Sequence, residues 1–254
     1  MSAMPGVPRF YPLVSLFLIL SFISLMQNSA NGNPSKEKTA RRLAKKLPFL
    51  SKQGKIMGDV FGPAFVHNTV DDTYDVVFII DVSGSIPSNE FHKGVSAVRY
   101  LIEKADPSSK FAVIKFSNQA TLLFNFISPD KAKTKLMNVA HTGGATNTQH
   151  ALRMARRDLF QNPSASGHRQ LASKLAVVIT DGFSNIQRDQ TVPQATLLKG
   201  IGTEVLVIAV GNFGAAGLKE ICDIASQPCN ETVFNLDNYI NVLEIAKMAA
   251  KQGK

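Results

Sequence analysis

Asp75-Val76-Val77-Phe78-Ile79-Ile80-Asp81-Val82-Ser83-Gly84-Ser85 is the stretch that decides the fold. Its unbroken apolar run, rich in β-branched residues, reads as a strand covered on both faces, and the Ser/Gly residues after it end the strand in a loop. Working outward, strands are expected at 75–81, 110–116, 120–126, 174–180, 203–210 and 231–236. Helical patterns alternate with them at 88–104, 130–139, 147–160, 190–200, 215–226 and 238–250. Pro87-Ser88 and Asp237-Asn238 supply helix-start signals for the first and last of these. This rhythm predicts an α/β domain: a doubly wound, mostly parallel six-stranded sheet with helices on both faces. Only Ser117-Asn118-Gln119 separates the second and third strands, so they form a hairpin and the third becomes one antiparallel edge strand.

The chain of 254 residues, 44% hydrophobic, suffices for one sizeable domain with appendages at its front. Leu13 to Met26 is an uncharged apolar run followed by small and polar residues, so residues 1–30 read as a secretory signal peptide and place the protein in the extracellular space or matrix. The run falls short of the roughly 20 apolar residues that a membrane-spanning helix needs. Residues 31–72 read as a basic, solvated linker or propeptide, with Arg41-Arg42 and Lys45-Lys46 suited to trimming, and residues 73–254 as the domain. Leu43, Leu47 and Leu50 at i, i+4 and i+7 also allow a short amphipathic helix lying on an anionic surface. Of the net charge of +9, residues 31–70 hold +6, and 71–254 only +2. The basic balance therefore belongs to the leader, and the domain has no polycationic face of the kind that grips nucleic acid.

In doubly wound sheets ligands bind beyond the carboxyl ends of the strands, where strand order reverses. Three segments carry oxygen donors to that rim: Asp81, Ser83 and Ser85 after the first strand, Thr146 in the glycine-loosened loop 143–148, and Asp181 in Thr180-Asp181-Gly182. An oxygen-only donor set suits a hard divalent cation such as Mg²⁺, or Mn²⁺. Neutral hydroxyl ligands leave such an ion electrophilic, with a position open to a carboxylate from another molecule.

These residues are where the chain resembles the von Willebrand factor type A domain family and its metal-ion-dependent adhesion site (MIDAS). The family pattern is Asp-x-Ser-x-Ser, a Thr in a Gly-rich loop and Thr-Asp-Gly, met here by Asp81, Ser83, Ser85, Thr146 and Asp181. The local text is most similar to the matrilin and collagen VI branch, through Gly143-Gly144-x-Thr146-x-Thr148-x-x-Ala151-Leu152 and Ile224-Ala225-Ser226-x-Pro228. The resemblance implies that Ser83 and Ser85 bind the ion directly and that Thr146 joins when a ligand is engaged. It also implies that Asp81 and Asp181 act through bound waters, and that the last helix, Tyr239 to Ala249, shifts with ligation.

Cys222 and Cys229 are the only cysteines, and in a secreted chain an even count favours a disulfide. Closing so short a loop stabilises by about 2.5 kcal/mol in the chain-entropy model. Asn230-Glu231-Thr232 is the one glycosylation sequon, because proline blocks those at Asn33 and Asn162. The five histidines show no metal-ligand spacing and read as surface or structural, with His150 the candidate for lining the rim.

Enzymatic classes fail on residue needs. No phosphate-cradling GxxxxGK[ST] is present, no Ser or Cys has a placed base, and the glycines 211, 214 and 217 do not match a dinucleotide loop. The expectation is a non-enzymatic, secreted adhesion module of the extracellular matrix. It would bind, through the cation, an Asp or Glu of an extracellular protein, collagen or another matrix chain among the candidates, with the loops at 183–190 and near Phe213 setting specificity. The alternative is a structural matrix component that contacts mineral or polysaccharide through the basic leader, its metal site incidental.

Overall fold

The computed structural model describes residues 34–50 and 73–252, and the expected signal peptide lies outside them. Six strands form one sheet: β1 Tyr74–Asp81, β2 Lys110–Phe116, β3 Ala120–Ile127, β4 Ser173–Thr180, β5 Thr203–Val210 and β6 Val233–Leu236. Their order is β3-β2-β1-β4-β5-β6, parallel throughout except for the β2–β3 hairpin. The doubly wound α/β fold with one antiparallel edge is therefore present as expected. Strand β1 is central because its side chains have neighbours on both faces: Val76, Phe78 and Ile80 enter one core layer, Val77 and Ile79 the other. Strand order reverses between β1 and β4, which brings Asp81 and Asp181 to the same rim.

The helices are α1 Pro34–Lys46, α2 Ser88–Glu103, α3 Pro129–Lys135, α4 Thr148–Met154, α5 Pro163–Ser166, α6 Thr191–Gly200, α7 Ala215–Ile224, α8 Cys229–Thr232 and α9 Tyr239–Gln252. Buried residues of α1, α2, α3 and α9 share one core layer, and those of α4, α6 and α7 the other. Helix α9 starts as its sequence signals, with Asn238 Oδ1 accepting the Asn241 amide at 3.0 Å. Helix α2 does not use Ser88 as a cap: Pro87 precedes it, and the Pro87 carbonyl accepts the Glu90 and Phe91 amides. The last strand starts at Val233, because residues 229–232 coil into α8. A Cys222–Cys229 disulfide with Cα atoms 5.2 Å apart holds that coil, and the buried Thr232 hydroxyl donates to the Ser226 carbonyl.

At the foot of β1 the fully buried Asp75 carboxylate accepts from Arg169 Nε at 2.9 Å, from Arg169 Nη2 at 2.6 Å and from His168 Nδ1 at 2.8 Å. A buried charge persists only when paired and hydrogen-bonded in this way. His168 is thereby structural, one of the two roles, surface or structural, that the sequence allowed it.

The largest departure from expectation is α1. The solvated-linker reading does not hold for residues 34–50, because Ala40, Leu43, Leu47, Phe49 and Leu50 are buried in the same core layer as β1. The amphipathic helix does form, but its apolar stripe meets the domain's own α9 and sheet. Phe49, in a 3₁₀ turn after α1, stands edge-on to Phe111 and Phe78 at centroid distances of 5.3 and 6.4 Å. Polar contacts fix the helix ends: Lys36 pairs with Glu244 at 2.7 Å, and Lys46 with Glu204 at 3.2 Å and Glu231 at 3.4 Å. Between them Arg42 donates to the Asn230 and Val233 carbonyls at 3.0 and 2.9 Å and lies over the Phe234 ring. Each buried Leu or Phe contributes about 1.5–3 kcal/mol before ordering costs. Burial supplies most of what holds α1, since partly exposed ion pairs contribute little.

Candidate cation-binding rim

The rim is built by the loops that leave the carboxyl ends of β1 and β4 and by the 139–147 loop that leads into α4, with the β2–β3 turn beside it. Asp81 closes β1 and is buried; its Oδ1 accepts the Ser83 amide at 2.8 Å and its Oδ2 the Thr180 hydroxyl at 2.6 Å. Ser83 Oγ lies 3.2 Å from Ser85 Oγ, and Ser85 Oγ donates to Asp181 Oδ1 at 2.9 Å. The β1 and β4 loops thus meet through side-chain oxygens.

Thr146 reaches this cluster through backbone fitting. The Gly84 amide donates to the Gly144 carbonyl at 2.8 Å, so the 143–146 loop lies directly on the Ser83–Ser85 turn. Gly144 has φ +101°, and a Cβ there would sit 2.7 Å from Asn118 Oδ1, so both conformation and space require glycine. Asn118 Oδ1 accepts the Ala145 amide at 2.7 Å, and Asn185 Oδ1 accepts the Thr146 amide at 2.8 Å. Two asparagines therefore hold the buried Thr146 between the other loops. His141 Nε2 lies 3.2 Å from the Ser83 carbonyl.

All five candidate site residues are accordingly brought to one rim. Several supporting residues are not visible as such in the sequence: Thr180, Asn118, Asn185 and His141 act through contacts between segments far apart in the chain. The Thr-Asp-Gly and Ser-Asn-Gln turns that contain Thr180 and Asn118 were the only signal. Two residues expected to face outward at the rim turn inward or aside. Phe213 is buried in the core layer of α7, packed against Gly217, so it is not an outward contact. His150 turns toward the β2–β3 hairpin, where its Nδ1 accepts the Ala120 amide at 3.2 Å. Burial lowers its pKa, in keeping with that acceptor role. Phe183 is exposed on the β4 loop, with the Arg188 guanidinium over its ring and Arg188 in turn paired to Glu220.

The electrostatics favour a cation. Burial pushes the Asp81 carboxyl up from 3.8 to about 6; the nearby Asp181 charge adds to the rise, and hydrogen bonds from Ser83 and Thr180 oppose it. Asp181 is raised for the same first reason, burial. At the start of α9, Tyr239 is buried with a hydroxyl that finds no partner among the described residues. Burial, and then the charges of Asp81, Asp181 and Glu90, drive its pKa up, so it too sits in a negative field. Two clustered carboxylates ringed by hydroxyls and neutral amides make a set of oxygen donors short of positive charge.

These shifts have a measurable sign. Between its unfolded value of 3.8 and its folded value of about 6, Asp81 holds more protons folded than unfolded, so its contribution to stability declines as pH rises through that window, by about 3 kcal/mol in all. A cation bound beside Asp81 would favour the ionised carboxylate, so it competes with the proton within the window and binds fully above it. The rise in Tm on adding millimolar Mg²⁺ is expected to be large near about pH 7.5 and to shrink toward about pH 5. Thermal melts at both values check this; equal rises would remove Asp81 from the cation's surroundings.

A doubly wound sheet carrying an Asp-x-Ser-x-Ser turn, a Gly-held Thr and a strand-end Asp on one rim defines a class of binding domain. Residues 75–247 match the family model of the von Willebrand factor type A domain, and the chain belongs to that family. It is 34% identical over 174 residues to integrin alpha-X of Mus musculus, covering 65% of this chain and 14% of that protein. It is 30% identical over 177 residues to the collagen alpha-5(VI) chain of Homo sapiens, covering 67% of this chain and 6% of that one. The chain thus spans a small part of the length of these relatives. A solved structure of proximal thread matrix protein 1 from the mussel byssus, with a zinc-occupied MIDAS motif, shares the fold at a TM-score of 0.63 and 22% identity, covering 71% of this chain and 48% of that one. No helix among the described residues is long and apolar enough to cross a membrane.

Proposed function

We propose that this protein is a secreted, non-enzymatic adhesion module of the extracellular matrix, and that its rim binds an acidic side chain of a protein partner through a divalent cation. Ser83, Ser85 and Thr146 would hold the ion directly, with Asp81 and Asp181 orienting its waters and balancing its charge. Mg²⁺ or Mn²⁺ bound there supplies an electrophilic position open to a carboxylate. The observation that carries this reading is the Ser83–Ser85–Asp181 chain of oxygens, at 3.2 and 2.9 Å, lying above the buried, charge-strained Asp81. The integrin and collagen VI relatives, and the zinc-occupied motif of the mussel protein, support it.

The chain's own residues divide the work. Asn118 and Asn185 hold Thr146 in place, Thr180 orients Asp81, and Phe183, exposed two residues after Asp181 and backed by Arg188, offers an apolar contact to a partner. The partner is an extracellular protein that supplies an Asp or Glu, with collagen-like and other matrix chains as the candidates. Asn230, exposed on α8, is the glycosylation acceptor in this reading.

The test is capture of matrix proteins by the chain from residue 34 onward, in Mg²⁺ and in EDTA. Capture is expected to vanish with chelator and to return with added Mg²⁺ or Mn²⁺. Capture indifferent to EDTA would defeat the proposal.

A further inference from the structure

Helix α1 lies outside the residues matched by the family model, and its outward face carries no role in the rim. Its inward face holds Ala40, Leu43 and Leu47; the opposite face presents Lys38, Arg41 and Lys45, all exposed. With Arg42, Ser35 and Thr39 they border an open hollow of about 520 Å³, and no carboxylate among the described residues lines it.

The charge on this face is largely uncompensated. Lys38 and Lys45 make no ion pair with any described residue, and Arg42 meets two neutral carbonyls and a ring face instead of an acid. Arg41 has one partner, Glu37, in a pair exposed on both sides, which solvent largely screens. The cations that do have acidic partners across the domain, Lys36 and Lys46, are the ones that anchor the helix. Six of the chain's nine net positive charges fall in residues 31–70, so the electrostatic asymmetry of the molecule is concentrated in the segment that includes this helix.

The shape of the patch selects among anions. Lys38, Arg41 and Lys45 follow i, i+3, i+7 spacing and so form a stripe about 10 Å long, suited to a linear polyanion more than to a point charge. A lipid surface is disfavoured, because an interfacial helix binds by sinking its apolar face into the acyl boundary, and here that face is already buried in the core. An extracellular protein meets its linear polyanions chiefly as sulfated polysaccharides; this choice of partner rests on the secreted placement proposed above, while the patch itself does not.

We propose that the outward face of α1 is a cation-independent binding surface for a linear sulfated polysaccharide. The helix runs along a flank of the domain: Lys36 reaches Glu244 on α9, Arg42 reaches Val233, level with Val207 in the middle of β5, and Lys46 reaches Glu204 at the start of β5. The rim is at the carboxyl ends. The stripe shares no described residue with the rim, so one molecule can hold a protein ligand at the rim and a polysaccharide along this flank.

The test is binding of the chain from residue 34 to immobilised heparin in EDTA, beside fully desulfated heparin and phosphatidylserine vesicles. The proposal expects salt-sensitive binding to heparin and none to the desulfated chain. The triple variant Lys38→Glu/Arg41→Glu/Lys45→Glu is expected to weaken it at least about tenfold and to lower the slope of log K against log salt by about two. Thermal melting of that variant should match the wild type, since all three side chains are exposed. Heparin binding that survives the triple substitution, or equal binding to the desulfated chain, would overturn the proposal. So would stronger binding to the vesicles. Asp81→Asn should leave heparin binding intact, so failure here and failure of the rim reading are distinguishable.

Discussion

Leu47→Asp is expected to abolish cooperative folding of the domain at ordinary temperature, and removing residues 34–50 altogether to do the same. Leu47 is 0% exposed, and so is Phe49 two residues on, which meets two rings of the central strands. Emptying a buried Phe or Leu site costs about 2–5 kcal/mol, and placing an unpaired carboxylate there costs more. A domain of this size has about 5–15 kcal/mol of stability in total. Phe49→Ala, the milder change, is expected to lower stability by about 3–5 kcal/mol and the denaturant midpoint in proportion. Chemical denaturation of the wild type, Leu47→Asp, Phe49→Ala and a chain beginning at residue 57 checks all three expectations. A chain beginning at 57 that melted like the full one would show that α1 rests on the domain without supporting it.

Asp81→Asn is expected to have the opposite pattern: a metal-free protein at least as stable as the wild type near neutral pH, with no response to Mg²⁺ at all. Asparagine keeps an acceptor for the Ser83 amide or the Thr180 hydroxyl. It also removes a buried charge whose ionisation is disfavoured by burial and by Asp181. The wild type should gain about 2.7 kcal/mol when Mg²⁺ exceeds its Kd a hundredfold; the variant should gain nothing, and matrix capture should be lost with it. Calorimetric titration and thermal melts read both effects. A variant that still took up Mg²⁺ with wild-type heat would move the cation away from this rim.

The comparison between sequence and structure turns on range. Val76–Ile80 and Val205–Val210 were legible as central strands because an unbroken apolar run has few other uses, and the hairpin was legible from its three-residue link. The five oxygen-bearing residues were legible because each follows a strand or precedes a helix, positions that topology carries to one end of the sheet. What stayed hidden depends on which distant surface a side chain meets. Leu43, Leu47 and Leu50 were visible at helical spacing, yet a solvated leader and a docked helix write the same pattern until α9 is in place to receive it. Phe213 and His150 were misplaced for the same reason: nearness in sequence to the rim does not fix the direction in which a side chain turns. Asn118 and Asn185 look like ordinary loop residues, and only the folded chain reveals them as the struts under Thr146.

The Arg42 contact with the Val233 carbonyl has a bearing on solubility. Strand β6 is an open border of the sheet, and such borders invite another chain to pair with them. This one is four residues long, and the guanidinium that takes the Val233 carbonyl belongs to a helix lying across it. The opposite border, β3, is interrupted by two register shifts against β2. Neither margin offers a long, flat template on which a second copy could add strand by strand.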